Sequence, residues 1–216
     1  MCNNFSRSEL DGLNLIRNDM KNILSVGIST NGNAEIEMTN RSNAVVIATT
    51  IDTRGIEKTR EIVKEKGLED RIILKVEDVR DKGIYDDNYF DYIYARLVLH
   101  YLTNKELSEV LKELKRILKN NGILYIVVRS DKCDEIKNGF ISYNEETGMT
   151  EHKTFTGNID KRRFHSYESI SKAINAAGLN IKEIKDYDEV LYADYERTIP
   201  VDVRNNLIEV VVLNKV

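Results

Sequence analysis

Residues 23–34 read ILSVGISTNGNA. The unbroken apolar run from Ile23 to Val26 is too short for a helix and fits a strand buried on both faces, and Gly27 then supplies the turn into a polar loop. Runs of the same kind recur at Ala44 to Ala48, Ile72 to Val76, Phe90 to Ala95 and Ile123 to Val128, with helical patterns between them. That alternation predicts parallel strands joined by crossover helices.

The helices carry their own start and stop signals. Thr103 with Glu106 forms a capping box, Leu107, Val110, Leu111, Leu114, Ile117 and Leu118 make a stripe of 3.6-residue period, and Asn121-Gly122 ends it. Thr53 to Lys66 stops at Gly67, and Ser166 caps Tyr167 to Ala177 ahead of Gly178. After Gly178 the pattern changes: the runs Ile181 to Tyr192 and Leu207 to Leu213 lie too close for another helix-and-strand unit, and predict an antiparallel pair closing the sheet. Asp131 to Lys161 shows no clear periodicity and reads as an insertion or lid, extending to Arg163 as a roof over the substrate side.

Composition narrows the function. The 216 residues, 41% hydrophobic and 31% charged, suit one ordinary globular domain spanning 1–216. No apolar run approaches a membrane span and MCNNFSRSEL lacks a signal-peptide core, so the expectation is a cytoplasmic protein. Cys2 and Cys133 show neither disulfide nor zinc spacing, which predicts reduced thiols and no metal. A net charge of −4 disfavours nucleic acid as partner.

In an open, doubly wound sheet, ligands bind beyond the carboxyl ends of the strands where strand order reverses. The exits that matter are therefore Ser25 to Asn31, Thr50-Ile51-Asp52, Glu77-Asp78-Val79 and Ala95-Arg96. Taken in order, ILSVGISTNGNA, VVIATTIDTRGIEKTREIVKEKGLEDRI, VEDV, FDYIYARLVLHYL and ELKRILKNNGILYIVV resemble the class I S-adenosylmethionine-dependent methyltransferases over residues 20 to 130, and more loosely from 164 to 214. The resemblance implies an α/β, doubly wound, mostly parallel seven-stranded sheet with a C-terminal antiparallel strand. It also implies S-adenosylmethionine as cofactor, a small-molecule substrate, and cofactor contacts from Gly27, Ser29, Thr50, Ile51, Asp52, Asp78, Val79 and Arg96. Asp78 would accept from the adenine amino group and Val79 would offer its backbone N–H to the ring. Because the sulfonium methyl is already activated, catalysis would be chiefly orientation, and His165 is the candidate if a base is used.

The chain departs from the family's pattern where the donor binds. Ser25 stands where an acid is usual, Ser29 and Asn31 stand where glycines are usual, and Thr50 replaces the carboxylate that accepts the ribose hydroxyls. Asparagine tolerates the left-handed conformation, so the turn can form, and Asp52, two residues beyond Thr50, is the candidate substitute at the ribose. The departures keep open a noncatalytic methyltransferase-like binding or assembly subunit. A nicotinamide dinucleotide enzyme is weaker, since G-x-G-x-x-G is missing. Bland readings stand beside the other candidates: His100 as a packed histidine, His165 as a surface residue beside a helix cap, Tyr143, Tyr187, Tyr192 and Tyr195 as packing residues, and Lys161-Arg162-Arg163 as a solvated face.

Overall fold

The structure is a computed structural model, and it describes residues 5–28, 30–154, 156–192, 198–201 and 203–214. Along the chain the strands are β1 (Asn22–Val26), β2 (Val45–Thr50), β3 (Ile72–Val76), β4 (Phe90–Arg96), β5 (Leu118–Arg129), β6 (Phe140–Asn144), β7 (Met149–Lys153), β8 (Ile159–Arg162), β9 (Asn180–Asp188) and β10 (Asn206–Leu213). The helices are α1 (Arg7–Leu13), α2 (Asn33–Arg41), α3 (Thr53–Glu65), α4 (Asn104–Ile117), α5 (Asp134–Gly139) and α6 (Tyr167–Ala176).

Seven strands form the main sheet in the order β3-β2-β1-β4-β5-β10-β9. The first five pair in parallel, Ser25 facing Ala48 on one side and Tyr94 on the other, while β10 runs antiparallel to both β5 and β9. Strand order reverses between β1 and β4, so the ligand-binding crevice opens beyond their carboxyl ends. Period-two alternation sorts the strand side chains into two layers. Leu24, Val26, Ile93, Leu124 and Ile126 pack with Leu107, Leu111, Leu114, Ile170 and Ile174 of α4 and α6. Ile23, Val46, Tyr92, Tyr94 and Tyr125 pack with Leu13, Ala34 and Met38 on the opposite face.

The predicted helices form, but α4 stops at Ile117, ahead of the Asn121-Gly122 expected to end it, because β5 already begins at Leu118. Thr103 and Glu106 make the reciprocal capping box of α4, and Asn121 takes a left-handed φ of 63° at the turn into the fifth strand run. Asp131 to Lys161 is a correction to the expectation of an unpatterned lid: it holds α5 and most of a three-stranded antiparallel sheet, β6-β7-β8. All five residues of β6 are exposed, and β7 buries Thr150 and His152 rather than apolar groups, so no hydrophobic period marks these strands. Among the described residues no helix is long and apolar enough to cross a membrane. Cys133 is a buried free thiol; Cys2 lies outside the described residues.

Candidate active site

At the carboxyl ends of β1 to β4 a cleft of about 280 Å³ is bounded by Gly27, Thr50, Ile51, Asp78, Val79 and the turn from Leu97 to Leu102. Its shape rests on backbone conformation. Gly27 has φ +80°, its N–H donates to the Thr49 carbonyl at 2.9 Å, and a Cβ there would overlap the Val98 Cγ2. Asn31 takes the left-handed region at φ 56° and Gly32 follows at 68°, where a Cβ would sit 2.6 Å from the Thr59 Cγ2. The close approach that the family's glycine usually provides is thus met one residue later, by Gly32. Leu97 is also left-handed, at φ 57°, a conformation that costs a non-glycine residue about 1 kcal/mol and is kept where a site needs it. Its N–H donates to the Val127 carbonyl at 2.8 Å.

The acid missing at Ser25 is supplied from elsewhere. Glu35, in the first turn of α2, lies fully buried, and the Ser25 hydroxyl donates to its Oε1 at 2.6 Å. Sequence reading missed Glu35 because it stands ten residues after the position where a carboxylate is sought. The only signal was an acid in a helix that begins directly after the glycine loop.

At the second exit, the Thr50 hydroxyl accepts from the Asp52 N–H at 3.0 Å, and the Asp52 Oδ1 accepts from the Arg54 N–H at 3.0 Å as the N-cap of α3. Asp52 lines a neighbouring cavity of about 490 Å³ with Asn31 and Thr50, and Thr50 borders both spaces. At the third exit, Arg80 grips Asp78 with Nε on Oδ1 at 3.0 Å and Nη2 on Oδ2 at 2.6 Å. That guanidinium holds the Asp78 carboxyl below its ordinary range and fixes its orientation. Arg80, absent from the sequence candidates, also lines the cleft. The Val79 N–H has no acceptor among the described residues. Ser29 lies outside the described residues.

Besides Asp52, which lines the neighbouring cavity, Arg96 and His165 are not brought into the cleft. Arg96 turns toward α1, donating from Nε to the Ser8 hydroxyl at 2.6 Å and from Nη2 to Glu189 at 2.8 Å, so it clamps the N-terminal helix instead of lining the crevice. His165 bridges to Ser130 beyond β5, is 1% exposed, and has its pKa pushed down to about 3 by burial and by the nearby Arg163 charge. An imidazole so depressed is a weak base at neutral pH. His100 is buried, as read, and burial with the charges of Arg162 and Arg129 keeps it neutral. Tyr187 is a packing residue whose hydroxyl donates to Glu209, Tyr143 is exposed, and Tyr195 lies outside the described residues.

The run Lys161-Arg162-Arg163 is corrected in part. Lys161 is solvated, but the Arg162 side chain is only 14% exposed. It lies 5.4 Å over the ring of Tyr101, a residue that lines the cleft. On its other side Arg162 lines a second chamber of about 380 Å³, together with Arg129, Glu135, Asp160, Tyr192 and Asn205.

A mostly parallel sheet of order 3-2-1-4-5-7-6, counting main-sheet strands alone, with its cleft at the β1/β4 reversal, defines a class I methyltransferase fold. A family model described as a methyltransferase domain matches residues 24–126. The matched domain and the fold are both consistent with the class I methyltransferases, the family whose methyl donor is S-adenosylmethionine. It is 24% identical over 173 residues to the methyltransferase GfsG of Streptomyces halstedii, an overlap of 77% of this chain and 55% of that protein, so it spans about half of that relative's length. A SAM-dependent methyltransferase structure from Methanosarcina mazei aligns with TM-score 0.75 and 17% identity, covering 94% of this chain and 96% of that one. An S-adenosylmethionine-dependent methyltransferase from Clostridium acetobutylicum aligns with TM-score 0.67 and 16% identity, covering 94% and 87%.

Proposed function

We propose that this chain transfers a methyl group from S-adenosylmethionine to a small molecule, with the donor held in the cleft of about 280 Å³. The observation that carries the reading is the convergence of Gly27, Thr50, Asp78 and Val79 on one cavity at the strand-order reversal. The donor set suits a nucleoside: an oriented carboxylate at Asp78, an unpaired N–H at Val79, and apolar surface from Ile51, Val98 and Leu102 for the faces of a base. Thr50 and Asp52 are the candidate ribose contacts. Gly27 lets the main chain approach the ligand, and the buried Ser25–Glu35 pair braces the loop from behind.

When bound, S-adenosylmethionine supplies an electrophilic methyl carbon, which an acceptor's lone pair takes in line while the carbon–sulfur electron pair stays on sulfur. The chain's own work is then orientation and exclusion of water, terms that can lower such a barrier by several kcal/mol, on the order of 7–11 at the limit. No side chain of the cleft is assigned as a base. The acceptor is small because the space beside the cleft is a chamber and the net charge of −4 suits no polyanion.

A second reading, a subunit that has this fold without transferring a methyl group, is favoured by one observation: the Asp52 carboxylate caps α3 and Thr50 stands where the ribose acid is usual. Calorimetric titration of S-adenosylhomocysteine separates the two. Micromolar binding, weakened about tenfold in Asp78→Ala, is expected. A folded protein that takes up neither S-adenosylhomocysteine nor S-adenosylmethionine overturns the proposal.

A further inference from the structure

The second chamber lies at the same end of the sheet as the cleft, where β5 ends at Arg129 and β10 begins beside it, Leu207 facing Arg129. Its charge is unevenly buried. Arg129 is 3% exposed and Glu135 7%, and the two are paired through Nη2 and Oε2. Arg162 reaches the same Glu135 oxygen at 3.7 Å, so two guanidiniums share one buried carboxylate. The other acid, Asp160, pairs with Arg162 from the rim, its side chain 34% exposed. The chamber's two guanidiniums and two carboxylates balance in number, with the positive groups set deeper than Asp160.

Hydrogen bonding tells the same story independently of charge. The Nε–H groups of Arg129 and Arg162 are both buried, and neither has an acceptor among the described residues. A buried donor left unmade costs about 1–3 kcal/mol, more where the donor is charged, so the chamber holds an unmet demand for acceptor oxygens. The surrounding histidines do not add charge, because burial and Arg162 keep His100 and His152 below the ordinary imidazole range. Ile159, Leu191 and Val201 supply apolar wall opposite the guanidiniums.

From these features we infer that the chamber is the pocket of the methyl acceptor and that it seats the carboxylate of a small organic acid, whose body lies along the apolar wall. A carboxylate brings acceptor oxygens to the two unmet Nε–H groups at the cost of one added negative charge, whereas a phosphate monoester near −2 would add two to a lining already in balance. The volume of about 380 Å³ is that of a small-ligand site. Arg162 links the two spaces, since the same guanidinium borders the chamber and covers Tyr101 of the donor cleft. This acceptor role rests on the methyl-transfer reading; the carboxylate site itself does not.

The test uses the full chain and the arginine Nε–H resonances seen by nitrogen-15 NMR, with phenylacetate and octanoate as probes, their primary amides as neutral counterparts, and phenyl phosphate as the dianion. Saturable shifts of the Arg129 and Arg162 signals by the two acids are expected, with amides and phenyl phosphate each binding at least about tenfold more weakly. R162Q is expected to weaken phenylacetate about tenfold, and R162K to restore part of the loss. Because Arg162 is the less buried of the two, a melting curve for R162Q checks that the fold persists; if it does not, the wild-type probe series alone decides. No shift with either acid, amides equal to acids, or phenyl phosphate binding more tightly than phenylacetate overturns the inference. S-adenosylhomocysteine is titrated in parallel. Its binding without a carboxylate response sinks this inference alone, whereas a carboxylate response without it sinks the donor reading and the acceptor role together.

Discussion

The donor cleft and the guanidinium-lined chamber sit at the same edge of one sheet, yet they are built from different materials. The cleft takes its form from main-chain angles at Gly27, Asn31, Gly32 and Leu97. The chamber takes its form from side-chain charge, with Arg129, Glu135 and Arg162 buried together. A surface made by main-chain geometry tolerates changes of residue type as long as the angles survive, and here asparagine takes a glycine's conformation and a helix glutamate backs a serine. A surface made by buried charge tolerates little, because each partner neutralises the next.

The largest effect should follow from breaking the charged side of that contrast. Arg129→Ala takes the closer of two guanidiniums from buried Glu135 and leaves only Arg162 at 3.7 Å, and a loss of about 3 kcal/mol in urea unfolding is expected. If R129M/E135L, which removes both charges, fails to recover most of that loss, then shape and not charge holds the chamber. On the other side, Gly27→Ala should weaken S-adenosylhomocysteine about a hundredfold, near 2.7 kcal/mol by calorimetry, because the added methyl meets Val98 and the positive φ is unfavourable. A loss smaller than about threefold would show that the loop is not a ligand cradle.

A pH experiment sharpens the comparison next. The folded His165 pKa lies at about 3 against an ordinary 6.5, with burial the main cause and Arg163 the second. Below pH 6.5 the unfolded chain takes up a proton that the folded chain refuses, so stability falls as pH drops from 6.5 toward 3, reaching a loss of about 2 kcal/mol from this group at pH 5. His165→Gln should flatten the decline in stability between pH 7 and pH 5; an unchanged slope would mean that other groups govern it. The smallest effect is expected at Glu35→Ala, about 1 kcal/mol in thermal unfolding, from the hydroxyl of Ser25 left without its acceptor.

The same contrast explains what was legible in the sequence. The parallel strands were readable because burial on both faces writes itself as continuous apolar runs, and the start of α4 was readable because Thr103 and Glu106 have local reasons to stand where they do, whereas Asn121 turns the chain within β5 instead of ending the helix. The lid sheet was not, since β7 buries a threonine and a histidine and β6 buries nothing. Gly27, Thr50, Ile51, Asp78 and Val79 line one cleft because they follow strands whose register is fixed by the core. Arg96 and His165 could not be positioned this way. Their environments depend on Glu189 and Arg163, which approach only through long-range packing that leaves no period in the sequence. Arg162 was read as part of a solvated run because its neighbour Lys161 is one, and alternation along β8 turns the two side chains to opposite faces.

The position of β10 has a consequence for how the molecule comes into being. It follows the other six strands of the main sheet along the chain, yet it is seated between β5 and β9 rather than at a border. Until residues 206–213 are available, the Ile123 to Arg129 edge of β5, whose partners are Leu213 to Leu207, stands open with its main-chain groups unpaired and its side chains apolar. Such an edge invites pairing with another chain. Synthesis therefore passes through a stage in which five parallel strands can already be docked while the β5 border is adhesive, and the insertion of β10 is what covers that border.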